Sequence, residues 1–293
     1  MNKKKIILRI FPVCTILVLF TVKGCKIADL RTDSIDAKSA KKEQKAIDLL
    51  DKVIENQGLA ALAQAKTYSL NATDDWKGIL ALMNPLPKNN ELMVLRYRPM
   101  SFDGQFNYLE GRDKTIYGTQ SFKSYEIKEN GEVTFKNKEK ITFSIAAIQY
   151  FLELPLRLKE APILKYAGTR DFEGKTYDLV FATWDKLEPH KEHDQYLLYI
   201  SQNTGYLSFV NYTIRGMYIP MPKYIYGSLR LANMQTSTSG ITFPGTLYVQ
   251  LNNLKKEKRS AHTIFIDNLK LNSFPLENLY PDKNLEYKGD SKN

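Results

Sequence analysis

The chain of 293 residues is poor in the residues that carry most site chemistry: two cysteines, three histidines and two tryptophans. Both cysteines, Cys14 and Cys25, lie in the first 25 residues, so nothing downstream holds a thiol. That excludes a disulfide scaffold and a thiolate zinc site, and implies a domain large enough to be held by its own core. After residue 24 no stretch approaches the ~18 uncharged apolar residues of a spanning helix. No serine sits in a Gly-x-Ser-x-Gly elbow, and no glycine-rich phosphate loop occurs, since Gly216 and Gly227 stand alone in strand-like context. The acids are scattered over strand ends and turns and define no carboxylate pair. With no catalytic constellation, the chain reads as neither an enzyme nor a cofactor carrier. The formal charge of +10 includes Lys3, Lys4, Lys5, Arg9 and Lys23 from a leader without acids, and falls to +5 without them. That excess is too mild to argue for a nucleic-acid partner.

What is present begins with that leader. A basic start is followed by Ile10 to Val22 without a charge, the length of a signal-peptide core and short of a membrane span. Val22-Lys23-Gly24-Cys25 then resembles a bacterial lipobox, with Lys23 a departure from the small residue usual there. The resemblance implies cleavage of residues 1–24 as a signal peptide and lipidation of Cys25. The alternative is an uncleaved anchor helix with Cys25 as an ordinary thiol beside the membrane. Residues 25–38 have no sustained period and are expected to form a flexible tether.

Residues 39–66 carry the clearest pattern. Ala46, Ile47, Leu50, Val53 and Ile54 recur at helical spacing, Ser39 stands as a candidate N-cap and Gly58 as a break. From Thr67 onward short alternating segments follow at close intervals, predicting about ten to twelve antiparallel strands. Turns are signalled at Asn130-Gly131, Glu173-Gly174 and Gln202-Asn203-Thr204-Gly205. In the strand after the last of these, Tyr206, Ser208, Val210, Tyr212 and Ile214 are expected on one face, and Leu207, Phe209, Asn211, Thr213 and Arg215 on the other. Residues 74–90 read as a loop with a helical turn. Residues 143–160 interrupt the strands with a second apolar stripe, Ile145, Ile148, Phe151, Leu152 and Leu156, and Pro155 is expected to end or kink that helix near Leu154. The segment 281–293 turns polar and is expected to be disordered.

The candidate polar sites are few. His190, Glu192, His193 and Asp194 form the densest cluster, but beside Pro189 they read as a solvated hairpin loop, and no metal is assigned to them. Lys255, Lys256, Lys258 and Arg259 read as the cap of a hairpin. Trp76 and Trp184 are candidates for a pocket mouth or for plain packing.

The order of lipobox, tether, helix, meander, interrupting helix and meander resembles the LolA/LolB-like superfamily of outer-membrane lipoprotein-sorting proteins. The phrases AIDLLDKVIENQG, YFLELPLRL, GKTYDLVFATW and DQYLLYISQNTGYLSFVNYTIR carry the likeness, which is nearest to small flavobacterial lipoproteins of the Bacteroidetes. It implies an α+β domain over residues 39–280, a large curled antiparallel sheet forming a half barrel around an N-terminal helix. It further implies a lipid-anchored protein of the cell envelope, placed at the outer membrane, with a lipid or other apolar ligand in the concave face. A filled barrel serving as a subunit of an envelope assembly is the alternative, and an envelope-polymer hydrolase a third.

Overall fold

The computed structural model describes residues 27–35, 38, 41–252, 254 and 260–289. The leader, Cys25, Ser39 and the basic run Lys255–Arg259 lie outside them.

The patterned N-terminal stretch forms α1 (Gln44–Asn56) and α2 (Leu59–Gln64). Gly58 separates them at φ 66°, where a Cβ would stand 2.6 Å from the carbonyl oxygen of Gly240. Ala46, Leu50 and Val53 are fully buried, with Ile47 and Ile54 packed at their edges. The helix starts at Glu43, whose Oε2 accepts the backbone N–H of Tyr166 at 2.9 Å.

Thirteen strands follow among the described residues. The first run is β1 (Tyr68–Trp76), β2 (Met93–Tyr97), β3 (Gly104–Tyr108), β4 (Ile116–Gln120), β5 (Lys123–Ile127) and β6 (Val133–Lys136). Helix α3 (Glu139–Lys159) intervenes. The second run is β7 (Ile163–Phe172), β8 (Lys175–Thr183), β9 (Gln195–Ser201), β10 (Leu207–Thr213), β11 (Tyr226–Thr236), β12 (Thr242–Leu251) and β13 (His262–Leu271). All are joined in one antiparallel sheet in the order β6-β5-β4-β3-β2-β1-β13-β12-β11-β10-β9-β8-β7. Each run is a meander, and the pairing of β1 with β13 seams the two. The edges of the sheet are therefore β6 and β7, the two strands that α3 connects. Twenty-one residues of helix span about 30 Å, so α3 crosses the concave face from one edge to the other and packs against α1 on the way. The half barrel thus closes on two helices, the second as central as the first.

Helix α3 does not stop at Pro155 but continues to Lys159. The buried Glu153–Arg157 ion pair, 2.7 Å long and one helical turn apart, and the buried Leu158 hold the turn that the proline weakens. By length and composition α3 is long and apolar enough to cross a membrane, which the sequence reading did not anticipate; most of it is buried inside the sheet.

The inner face of the sheet holds the main core, while the outer face of β7–β10 holds a second cluster with Tyr177, Leu179, Phe181, Leu197, Tyr199 and Phe209. This two-sided burial explains why β9, QYLLYIS, is buried at every position and carries a continuous apolar run, Tyr196–Ile200, instead of alternating. Residues 27–35, expected as part of a flexible tether, lie on that outer face. Leu30 is buried there, its N–H donating to Gln195 Oε1 at 2.9 Å, and Thr32 Oγ1 donates to Ala167 O at 2.8 Å. The C-terminal segment covers the outer face of the other run. Tyr280 donates to Asp103 Oδ2 at 2.8 Å, Gln120 Nε2 to Asp282 O at 2.7 Å, and Arg98 lies 3.7 Å over the ring of Tyr287. The tail through Gly289 is therefore packed, because β3–β5 offer it an apolar outer patch around Tyr125.

Two local expectations change. A bulge between Leu207 and Phe209 breaks the alternation of β10, so Leu207 joins Val210 and Tyr212 in the inner core. And β1 continues past Thr73 to Trp76, with Tyr68, Leu70, Ala72, Asp74 and Trp76 all buried on alternate positions.

Candidate functional site

The strand register brings one end of the barrel together. Tyr196 of β9 pairs with Tyr212 of β10, Thr213 with Tyr226 of β11, Gly227 with Leu251 of β12, Val249 with His262 of β13, and His262 with Trp76 of β1. Across this end, between the sheet and the first half of α3, lies a cavity of about 310 Å³. It exists because α3 presents Ala146 and Ala147 to it, whose methyl groups cannot reach the strands opposite. Phe143, Ile148, Tyr150 and Phe151 complete the helix wall, and Tyr196, Tyr212, Val249, Leu251 and Ile264 the sheet wall. Phe151 meets Tyr212 with ring centroids 5.5 Å apart, and Tyr150 meets Tyr196 at 5.8 Å.

Two chain segments frame the open end. One is a 3-10 turn, Gly78–Met83, which supplies Leu80 and Met83 to the cavity. The other is the connection after β10, which supplies Ile214, Gly216, Met217 and Met221. The hydroxyl of Tyr218 donates to Met83 O and ties the two together, with the ring of Tyr218 4.9 Å from Phe143. Methionines suit a wall that must adapt to an irregular occupant. On the outside of the 3-10 turn, Ile79 and Leu82 are 80% and 82% exposed.

The polar part of the lining is compact. Asp74 is buried, with Oδ1 2.7 Å from His262 Nδ1 and Oδ2 accepting from Trp76 Nε1 at 2.9 Å. The rings of Trp76 and His262 stack at 4.0 Å, 8° from parallel. Asp194 Oδ1 accepts from Thr213 Oγ1 at 2.8 Å and from the N–H of Arg215 at 2.9 Å. Burial pushes the Asp194 carboxyl up to about 6, against the pull of those two donors. The neighbouring hydroxyl of Tyr212 is likewise raised, first by burial and then by the charge of Asp194.

The histidine cluster read in the sequence divides. His190, Glu192 and His193 do converge, with ligand-capable atoms within 4.8 Å of one another. Yet His190 Nδ1 already accepts the backbone N–H groups of Glu192, at 2.9 Å, and His193, at 3.2 Å, and its Nε2 stands 3.4 Å from Asp185 Oδ2. Those bonds fold the loop on itself, and no metal role is assigned. Asp194, the fourth member, turns away into the cavity wall. Of the two tryptophans, Trp76 lines the cavity, while Trp184 packs edge-on at 6.0 Å against Tyr196. Asp74 and His262 were missed as a pair because they are 188 positions apart. The one available signal was the period-2 alternation of β1, which places Asp74 in the inward series after Ala72.

No protein-family model and no curated protein matches the chain. Among solved structures it is similar to a DUF1329 family protein from Desulfovibrio piger, with a TM-score of 0.48 and 10% identity over 81% of this chain and 97% of the other. It is also similar to a LolA superfamily protein from Nitrosomonas europaea, with a TM-score of 0.45 and 10% identity over 82% and 99%. An outer membrane lipoprotein-sorting protein domain from Vibrio parahaemolyticus gives 0.46 and 10% over 80% and 96%. These are likenesses of fold. Among the described residues the fold itself is one curled thirteen-stranded antiparallel sheet, a half barrel closed over an inner helix layer.

Proposed function

We propose that the protein is a non-enzymatic lipoprotein of the bacterial envelope, anchored through lipid on Cys25, that holds an acyl chain or another apolar ligand inside its half barrel. The observation that carries the reading is the cavity itself. Its volume of about 310 Å³ falls at the lower end of small-ligand sites, and aromatic, aliphatic and methionine side chains make most of its wall. That size suits one chain or a compact apolar molecule. A barrel filled for assembly alone predicts side chains where this space stands. The anchor rests on the leader and the Val22-Lys23-Gly24-Cys25 sequence, and places the domain at a membrane, the outer one in this reading.

The test is organic-solvent extraction of the protein purified from membranes, followed by mass spectrometry, beside Ala147→Phe, which puts a ring into the space. The wild type should release a bound apolar compound, and the variant should fold yet release none. An empty wild-type protein that also takes up no acyl compound rejects the ligand reading. Metabolic labelling with a fatty acid checks the anchor: label should appear on the wild type and vanish in Cys25→Ala.

A further inference from the structure

The cavity is acidic in a chain that is basic. Its lining holds two carboxylates, Asp74 and Asp194, and one histidine, His262, with no lysine or arginine among the described lining residues. The two carboxylates are not equivalent. Asp74 has both oxygens engaged, by His262 and Trp76. Asp194 uses Oδ1 for Thr213 and the backbone of Arg215, and its Oδ2 has no hydrogen-bond partner among the described residues. The nearest guanidinium attracts Asp194 at a distance without a hydrogen bond to it. Arg215 directs Nη1 to Lys223 O at 2.9 Å and Nη2 to Ala28 O at 3.1 Å, tying the N-terminal strap down. A second acceptor faces the same space: with Nδ1 held by Asp74, His262 leaves Nε2 without a partner among the described residues. A carboxylate and an imidazole lone pair in an apolar wall are costly unless a donor meets them.

Resting on the ligand reading above, we propose that the cavity selects an amphiphile whose head is a protonated amine, with Asp194 Oδ2 as its receptor and His262 Nε2 as a second acceptor. The same wall disfavours carboxylate and phosphate heads, which would bring a like charge beside Asp194 in a low-dielectric site. The apolar body lies along Ala147, Phe151 and Ile264. The volume admits one chain, so the occupant is a single-chain or compact aromatic amine.

The experiment titrates the full chain, in one non-ionic detergent, with three probes of equal chain length: decylamine, decanol and decanoate. Tryptophan emission, from Trp76 stacked in the wall and Trp184 packed behind it on Tyr196, reports occupancy. Near pH 7.5 the wild type should bind decylamine about tenfold or more tighter than decanoate, with decanol between them. Asp194→Asn keeps an acceptor for Thr213 and Arg215 and should lose the amine preference, read as the ratio of decylamine to decanol affinity. Decanoate binding as tightly as decylamine, or an amine preference that survives Asp194→Asn, overturns the inference. Decanol binding without any head preference overturns it alone, whereas no binding of any probe rejects the ligand reading as well. A second measurement needs no variant. Lowering the pH from about 7.5 to about 5 protonates Asp194, whose carboxyl burial pushes up to about 6. The other groups facing Asp194 are Thr213, Arg215, Lys223, Tyr196 and Tyr212, with Asp74 across the cavity. The ratio of decylamine to decanol affinity should fall several-fold over that range, and a flat ratio overturns the assignment.

Discussion

From β2 to β6 the concave face is solid; from β9 to β13 it is not. In the first region strands of four or five residues turn back quickly, and rings fill the space under α3. Tyr68 of the adjoining β1, Tyr97, Phe106 and Tyr108 are each at most 1% exposed, and Phe106 stacks on Tyr117 at 5.2 Å. At its centre Glu153 accepts from Tyr68 at 2.9 Å, Gln149 at 3.0 Å and Arg157 at 2.9 Å, while Arg157 reaches Ser101 O at 2.6 Å. In the second region strands of seven to eleven residues face two alanines of the same helix, and the gap stays open. One helix thus carries both outcomes. Its C-terminal half locks a core with charge, and its N-terminal half leaves a cavity with small side chains.

The sharpest way to break this contrast is to unpair the locked half. Arg157→Met leaves Glu153 as a lone buried carboxylate, whose carboxyl burial already pushes up. The loss should be about 3–5 kcal/mol by urea denaturation, with much of it regained in Glu153→Leu/Arg157→Met. A loss below about 1 kcal/mol means the network does not hold that half. Next comes truncation of a ring on each side. Phe106→Ala should cost about 3–5 kcal/mol, because the site cannot collapse, whereas Phe151→Ala, bordering existing space, should cost about 1–2 kcal/mol. Equal losses erase the distinction between solid and hollow.

Gly205, at φ 70° in the turn between β9 and β10, tests how firmly the long strands are joined to the helices. A Cβ there collides with Asn56 Nδ2 of α1. Gly205→Val should lower stability by about 1–3 kcal/mol, through strain and that collision, and an unchanged Tm refutes it. The smallest effect is in the cavity. The Asp194 carboxyl is raised from 3.8 to about 6, so the folded state holds a proton that the unfolded chain releases, and stability from this group falls as pH rises between those values. Asp194→Asn should therefore stabilise by about 1 kcal/mol at pH 7–8. The gain should disappear below about pH 4, where both states are protonated, and differential scanning calorimetry across that range decides it. A variant less stable than wild type at pH 8 means the charge is compensated.

Much of the architecture is legible in the chain because it follows from periods. The stripe Ala46–Ile54, the glycine turns at 131, 174 and 205, and the close spacing of strands each depend on neighbours within a few residues. The turn at 202–205 shows the limit of such reading: its letters mark a turn, while only the structure shows that Gly205, and not Asn203, takes the positive φ. Pro155 marks another limit, since a local helix breaker is overruled by an ion pair that the fold buries. The bulge at Leu207–Phe209 reverses one residue's side, a change that alternation alone cannot express.

By itself the sequence determined the sheet-and-helix composition and the order of the elements, because periodicity acts over short distances along the chain. Tertiary structure decided the seam of β1 with β13, the passage of α3 between the two sheet edges, and the packing of residues 27–35 and of the segment through Gly289 on the outer face. It also decided that Ala146 and Ala147 would face open space and that Asp74 would meet His262. These depend on which surfaces far apart in sequence are brought together, and a small residue or a lone acid says nothing of its neighbour until the sheet has curled around it.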